Sequence, residues 1–285
     1  MPIIKFTAEK KTTILKLAEF KGIEREKLEK SLKIGGVIVN GRRVRDKNFA
    51  VKKGDKVSIC IDENPPEIEF SENWIVFKDE FLIIVNKPQG LTTQGTMCYD
   101  VNHLYYFVKQ YCKSYVGLHH RLDRDTSGLV LFTLKKEANK PVSEMFKNKK
   151  IEKTYIAVVN GILKEKKEID FPIGRIPASQ PAKWWTNMPN SKEARTIVKP
   201  LKTGKKYSLI EAMPLTGRTH QIRVHLASIG HPILGDRFYN AEEKENFSLM
   251  LHCKRLRFNH PITGKKITVE TDLPKRFQKI LEKGL

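Results

Sequence analysis

The sequence predicts an α+β protein with a small first domain and a larger second one, and three observations carry that expectation. Strand-like and helix-like stretches are mixed without a strict β-α alternation. A polar, proline-containing break, Asp62-Glu63-Asn64-Pro65-Pro66-Glu67, separates residues 1–61 from residues 74–285, with residues 62–73 as the linker. The chain has 285 residues, 40% of them hydrophobic, enough for one large domain with a small companion or for two medium ones.

In the first domain, Ile14, Leu17 and Ala18 fall at helical spacing, and Leu28 and Leu32 repeat the pattern over residues 24–32. Val37-Ile38-Val39 then runs into Asn40-Gly41, a two-residue hairpin signal, and Val57, Ile59 and Ile61 alternate after a turn at Gly54-Asp55. Two short helices followed by strands are expected.

The second domain opens with two adjacent strands, 74–77 and 81–85, around the charged turn Lys78-Asp79-Glu80. Leu104, Phe107, Val108 and Tyr111 mark a helix, and the apolar run 129–132 reads as a buried strand. Ala138, Val142, Met145 and Phe146 mark another helix, whose basic end Lys147-Asn148-Lys149-Lys150 suits both the helix C-terminus and phosphates. Strands are expected at 154–159, closed by Asn160-Gly161, and at 195–201, 207–212 and 266–271; Ile222, Leu226 and Ile229 form one helix face. Trp184-Trp185 is compatible with a buried pair or with stacking on bases.

The formal charge of +21, from 53 Lys and Arg against 32 Asp and Glu, points to a polyanionic partner, with nucleic acid first. A membrane surface is the rival, but no apolar run approaches the roughly 20 residues of a span, and Met1-Pro2-Ile3-Ile4-Lys5 lacks a signal-peptide core. A soluble, cytoplasmic chain is expected. Cys60, Cys98, Cys112 and Cys253 have no Cys-x-x-Cys or zinc-finger spacing and are expected as reduced thiols. His220 and His225 are off a common helical face, so no metal centre is expected.

The densest chemistry lies in His119-His120-Arg121-Leu122-Asp123-Arg124-Asp125-Thr126-Ser127-Gly128, a polar loop pinned to the edge of the 129–132 strand. By composition alone such a loop suits local ion pairs as well as it suits catalysis. Two distant stretches bear on the choice: Lys153-Thr154-Tyr155, and Gly217-Arg218-Thr219-His220-Gln221-Ile222-Arg223.

Together with Asn86-Lys87-Pro88-Gln89-Gly90-Leu91, Lys192-Glu193-Ala194-Arg195-Thr196, Gly230-His231-Pro232-Ile233-Leu234-Gly235-Asp236, and Leu251-His252 leading to His260-Pro261-Ile262-Thr263-Gly264, these stretches resemble the pseudouridine synthases of the RluA type. The likeness covers most of the chain. It implies a mixed, largely antiparallel sheet in the second domain, and isomerisation of uridine in structured RNA without a cofactor. The C1′–N1 bond of the nucleotide is broken, the base turns, and C1′ rejoins C5. The first domain resembles an S4-type RNA-binding domain through residues 34–41 and 51–57, which implies phosphate contacts at Lys27, Lys30, Lys33, Arg42 and Arg43.

The resemblance maps the carboxylate that acts at the sugar onto Asp123, its arginine partner onto Arg223, and the tyrosine lying against the uracil face onto Tyr155. Arg121 matches the arginine that enters the stack as the target nucleotide swings out. Lys153, Arg218 and His220 flank these motifs and are expected in phosphate contact or in support of the site. The S4-like layout favours 23S ribosomal RNA as substrate, with transfer RNA as the alternative and no obligate protein partner. Two rivals stand beside this reading. One is an N-glycosidase using Asp123 and Asp125 as paired carboxylates. The other is a non-catalytic RNA-binding or ribosome-assembly protein, against which the trio Asp123, Tyr155 and Arg223 argues.

Overall fold

The computed structural model of the chain describes residues 3–61, 68–179, 182–240, 247–282 and 284. The chain divides into two compact units, Met1–Phe70 with Leu91–Ser114, and Ser71–Gly90 with Tyr115–Leu285. The polar break at 62–67 lies outside the described residues. The division differs from a single cut after residue 73, because the segment 91–114 belongs with the first unit. No helix among the described residues is long and apolar enough to cross a membrane.

The first unit holds strands β1 (Ile3–Thr7), β2 (Thr12–Thr13), β3 (Val37–Val39), β4 (Arg42–Arg43), β5 (Ala50–Val51) and β6 (Lys56–Cys60). Its helices are α1 (Ile14–Phe20), α2 (Arg25–Ile34) and α3 (Leu104–Cys112). Thr13 caps α1 by accepting the Lys16 N–H at 3.4 Å. Ile14, Leu17, Ala18, Leu28 and Leu32 are buried against Val37, Val39, Val57 and Ile59 of the sheet β1-β6-β3-β4. The β3–β4 hairpin turns at Asn40 (φ 49°) and Gly41 (φ 80°), the two positive φ values that a type I′ turn requires and that these residue types tolerate.

The segment 91–114 is stapled to this sheet. The Arg43 guanidinium donates to the carbonyls of Gly35, Thr96 and Met97, and Asp100 pairs with both Arg43 and Arg45. Cys60 and Cys98 form a disulfide across 38 residues of sequence, their Cα atoms 5.4 Å apart. This corrects the expectation of reduced thiols for that pair: tertiary approach of β6 to the 91–114 segment brings them together, and no sequence spacing announces it. Cys112 and Cys253 are free. Of the five basic residues expected on phosphates, Lys27 pairs with Glu24 at 3.0 Å and Lys30 with Glu26 at 2.8 Å, while Arg43 is turned inward. Lys33 and Arg42 hold no ion pair among the described residues.

The second unit is built on strands β7 (Ile75–Lys78), β8 (Leu82–Lys87), β9 (Gly117–Leu118), β10 (Ser127–Thr133), β11 (Glu152–Asn160), β12 (Lys167–Ile169), β13 (Ile173–Arg175), β14 (Trp184–Thr186), β15 (Thr196–Thr203), β16 (Tyr207–Pro214), β17 (Leu251–Asn259) and β18 (Lys266–Glu270). Its helices are α4 (Asn139–Lys147), α5 (Gln221–Ser228) and α6 (Lys275–Glu282). Ten strands form one sheet in the order β12-β15-β16-β11-β17-β10-β8-β7, with β18 on β17 and β9 on β10; β13 and β14 pair apart as a hairpin. All pairings are antiparallel except β10 with β17, so the sheet is mixed and largely antiparallel as expected. Strand β10 is buried along its whole length, which its apolar run requires.

Candidate active site

The loop 119–126 is held at the end of β10 by contacts on both sides. His120 Nε2 accepts the Leu131 N–H at 2.9 Å, and His119 bridges the hydroxyls of Ser143 and Thr133 at 3.0 and 2.9 Å. Burial holds the His120 imidazole neutral, pushing its pKa down to about 3. On the other side, the buried Lys87 ammonium donates to the carbonyls of Pro88 and Arg124, each at 3.0 Å. Burial, opposed by Asp125 and Asp123, brings the Lys87 pKa down to about 7. Gly90 N–H donates to Arg124 O at 2.9 Å, and Arg124 Nε returns a bond to Gly90 O at 3.0 Å. Residues 87–90 thus act as a brace. At Gly128, φ is 117° and a Cβ would collide with the Cys253 backbone, so only glycine lets β10 run this close to β17.

Asp123 sits where the braced loop meets the N-terminal end of α5, its side chain 20% exposed. Arg223 Nη1 donates to Asp123 Oδ2 at 3.2 Å. The same guanidinium makes a two-pronged pair with the buried Asp236, Nε to Oδ2 at 2.7 Å and Nη2 to Oδ1 at 2.8 Å. Asp236 also accepts the backbone N–H of Phe238 and of Tyr239. Burial by itself would lower the Arg223 pKa, but Asp236 and then Asp123 outweigh it, so the charge is held more firmly than in free arginine. The Arg223 plane lies over the rings of Tyr239 and Phe238, at 5.2 and 5.4 Å from their centroids.

The turn ahead of α5 is folded around Gln221. Its amide oxygen accepts from the Thr216 hydroxyl and the Arg218 N–H, while its Nε2 donates to Arg195 O and Thr196 Oγ1. His220, with φ 56°, completes the turn and brings Nε2 to 3.6 Å from Asp123 Oδ2.

Tyr155 enters from β11. A register shift between Thr154 and Tyr155 sets Tyr155 directly across from Cys253 of β17. The phenol pKa is raised well above its ordinary value, by burial first and then by the Cys253 thiol that hydrogen-bonds it and by Asp123. Burial likewise pushes the Cys253 thiol up to about 12, so both groups are neutral at pH 7. Lys153 next to it is half-buried, its pKa lowered by burial.

Asp123, Tyr155 and Arg223 line a single cleft of about 1090 Å³, together with Arg121, Lys153, Arg218 and His220. Arg121 is exposed at the loop tip, and Arg218 is exposed with Nε on the Glu193 carbonyl at 2.8 Å. Lys147, Lys149, Arg195, Arg255 and Arg257 also line the cleft, the last four paired with carboxylates: Lys149 with Glu193, Arg195 with Glu168, Arg255 with Glu211 and Glu270, and Arg257 with Glu152. All seven residues expected at the site are therefore gathered in one place. Asp236, Tyr239 and Cys253 also belong to the site, although the sequence alone does not single them out. Asp236 and Cys253 carried a usable signal, since Gly235-Asp236 and the Leu251-His252 stretch lay in motifs already recognised, but their partners are 13 and 98 residues away. Tyr239 carried none. A carboxylate fixed by a guanidinium, a buried phenol beside it, and basic residues around both form a site that can take up a polyanion and present one carboxylate to it.

Comparison with known proteins points to one family. A family model described as RNA pseudouridylate synthase matches residues 81–228. A tRNA pseudouridine synthase C of Vibrio cholerae is 36% identical over 73% of this chain and 93% of its own length. A ribosomal large subunit pseudouridine synthase C of Buchnera aphidicola is 30% identical over 92% of this chain and 90% of its own. Among solved structures, human RNA pseudouridylate synthase domain containing 1 superposes with a TM-score of 0.62 at 25% identity, covering 76% of this chain and 97% of that one.

Proposed function

This chain belongs to the RNA pseudouridylate synthase family, and from that premise we propose that it isomerises uridine in 23S ribosomal RNA, with Asp123 as the carboxylate that acts at the sugar. The observation that carries the catalytic part is the Asp123–Arg223–Asp236 chain, which presents one carboxylate to the cleft from a rigid support. Tyr155 lies against the uracil face. Its neutral, buried phenol suits stacking and hydrogen bonding while the base turns between cleavage of C1′–N1 and formation of C1′–C5. Arg121, exposed on the loop that carries Asp123, is the side chain that fills the stack as the nucleotide is flipped, and Lys153 and Arg218 take phosphates. The isomerisation moves no electrons to an acceptor and transfers no group, so the reaction needs no cofactor.

Ribosomal RNA is favoured by the reach of the likeness. The match to the ribosomal relative extends over 92% of this chain, against 73% for the transfer RNA relative. In the first unit, helices α1 and α2 packed on the antiparallel sheet β1-β6-β3-β4 support an S4-like RNA-binding domain, and the second unit, Ser71–Gly90 with Tyr115–Leu285, is the catalytic one. Transfer RNA is the second reading, favoured by the higher identity, 36% against 30%. Pseudouridine mapped by carbodiimide labelling in cells with and without the gene tests both. Sites lost from ribosomal RNA and restored by the native protein, but not by Asp123→Asn, are expected. Sites lost from transfer RNA alone would replace the first reading by the second.

A further inference from the structure

We propose that His220 is a positioning residue that holds Asp123 Oδ2 together with Arg223 and so turns Oδ1 toward the ribose. The inference rests on the catalytic assignment of Asp123 above and replaces a phosphate-binding role for this histidine.

The His220 side chain is only 13% exposed. Trp184, Tyr239 and Phe238 surround the ring, with centroids at 5.1, 5.6 and 5.9 Å. A side chain so enclosed is poorly placed for a phosphate on the RNA surface. Its tautomer follows from the hydrogen bonds. The Trp184 N–H donates to Tyr239 Oη at 3.3 Å, and Tyr239 Oη lies 2.8 Å from His220 Nδ1. The phenol has one proton and its Trp184 contact is itself a donor, so Nδ1 is the acceptor at hand for that proton. Nδ1 is then an acceptor, and the neutral ring carries its hydrogen on Nε2. Neutrality is favoured because burial lowers the His220 pKa, against the pull of Asp123. Asp123, Arg223, Asp236 and Arg121 are the charged groups that act on the ring, and Tyr239 is its titratable neighbour.

The Nε2–H is 3.6 Å from Asp123 Oδ2, beyond a formed hydrogen bond but on the same oxygen that Arg223 Nη1 reaches at 3.2 Å. Both donors therefore converge on Oδ2, and no hydrogen bond to Oδ1 is recorded among the described residues. Rotation of a carboxylate about its terminal bond is soft, and a single N–H leaves it a hinge. A second donor on the same oxygen restricts that freedom, and contacts of this kind tighten when substrate binds. The role extends to Trp184 of the β13–β14 hairpin: its amide orients the phenol, which sets the tautomer.

The His220 backbone is left-handed, so substitutions must separate the side chain from the turn. Asparagine tolerates that conformation well but is too short to reach Asp123. Glutamine and leucine bear the left-handed backbone alike, and only glutamine puts an N–H near the place of Nε2. The test uses the purified full chain and unmodified ribosomal and transfer RNA carrying tritium at uracil C5, which is released on isomerisation. His220→Asn and His220→Leu should lower kcat by roughly 10- to 100-fold with RNA affinity within about twofold of wild type. His220→Gln should be several-fold faster than either, and Tyr239→Phe should lose several-fold in kcat. Wild-type kcat in His220→Asn, or a loss confined to RNA affinity, would overturn the proposal. If His220→Asn does not fold, an unchanged kcat in Tyr239→Phe would do so. Wild-type protein that releases no tritium from either RNA would instead sink the functional assignment. The tautomer is read separately, by nitrogen-15 NMR of the free protein. A proton on Nε2 is expected, and one on Nδ1 would overturn the proposal without any turnover.

Discussion

Arg223 in the second unit and Arg43 in the first are both arginines tied down by other groups of the chain, and what holds them differs. The side chain of Arg223 is 8% exposed and bonds two carboxylates, one buried and one facing the cleft. The side chain of Arg43 is 29% exposed and bonds three backbone carbonyls, with Asp100 at 3.6 Å. Carbonyl acceptors make Arg43 a staple between two stretches of chain. Carboxylate acceptors make Arg223 a relay: its charge is fixed by Asp236 and delivered to Asp123. A basic residue in an RNA-binding chain therefore gains its role from its acceptors, and net charge alone does not assign it.

Breaking the relay should cost most. Asp236→Ala leaves the buried Arg223 with one partner, and a loss of roughly 3–5 kcal/mol is expected in urea unfolding of the purified protein. A loss under about 1 kcal/mol would show that Asp236 is not the anchor. In the first unit the comparable covalent tie is the Cys60–Cys98 disulfide, which closes a 38-residue separation. Replacing both cysteines by alanine should lower stability by about 2–4 kcal/mol, read under non-reducing conditions.

A pH series sharpens the contrast on the second unit. His252 is fully buried, its Nδ1 2.8 Å from the Ser127 hydroxyl, and burial, helped by Arg276 and Lys254, pushes its pKa down to about 3. The unfolded imidazole takes up its proton near 6.5, the folded one only near 3, so between these values the unfolded state binds more protons. This group's contribution to stability is intact above pH 6.5 and falls by about 1.4 kcal/mol per unit as the pH drops toward 3. His252→Gln should remove that part of the slope. The smallest effect is expected at the staple: Arg43→Ala should cost about 1 kcal/mol and leave turnover on ribosomal RNA within about twofold of wild type.

Much of this was legible in the residues. Helical spacing located α1, α2, α3 and α4, and Asn40-Gly41 located its hairpin, because those signals are local. Strand β17 stands in the sequence only as part of a motif, although buried Leu256 and Phe258 alternate with the basic Arg255 and Arg257. Its cationic outward positions masked a central strand of the sheet. The carboxylate, the phenol and the guanidinium of the site stand in motifs, and motifs survive being far apart in sequence. Their supports are set by tertiary approach, as is the disulfide: Asp236 and Cys253 stand in or beside motifs, but nothing local pairs them with Arg223 and Tyr155, and Tyr239 stands in none.

The most direct test of the central claim compares wild-type protein with Asp123→Asn on unmodified 23S ribosomal RNA labelled with tritium at uracil C5, with RNA affinity measured in parallel. Asn keeps the size of the side chain and its reach to Arg223 but removes the charge. Tritium release by wild type, a loss of roughly 10²-fold or more in the variant, and affinities within about twofold are expected. Turnover by Asp123→Asn near the wild-type rate would contradict the claim.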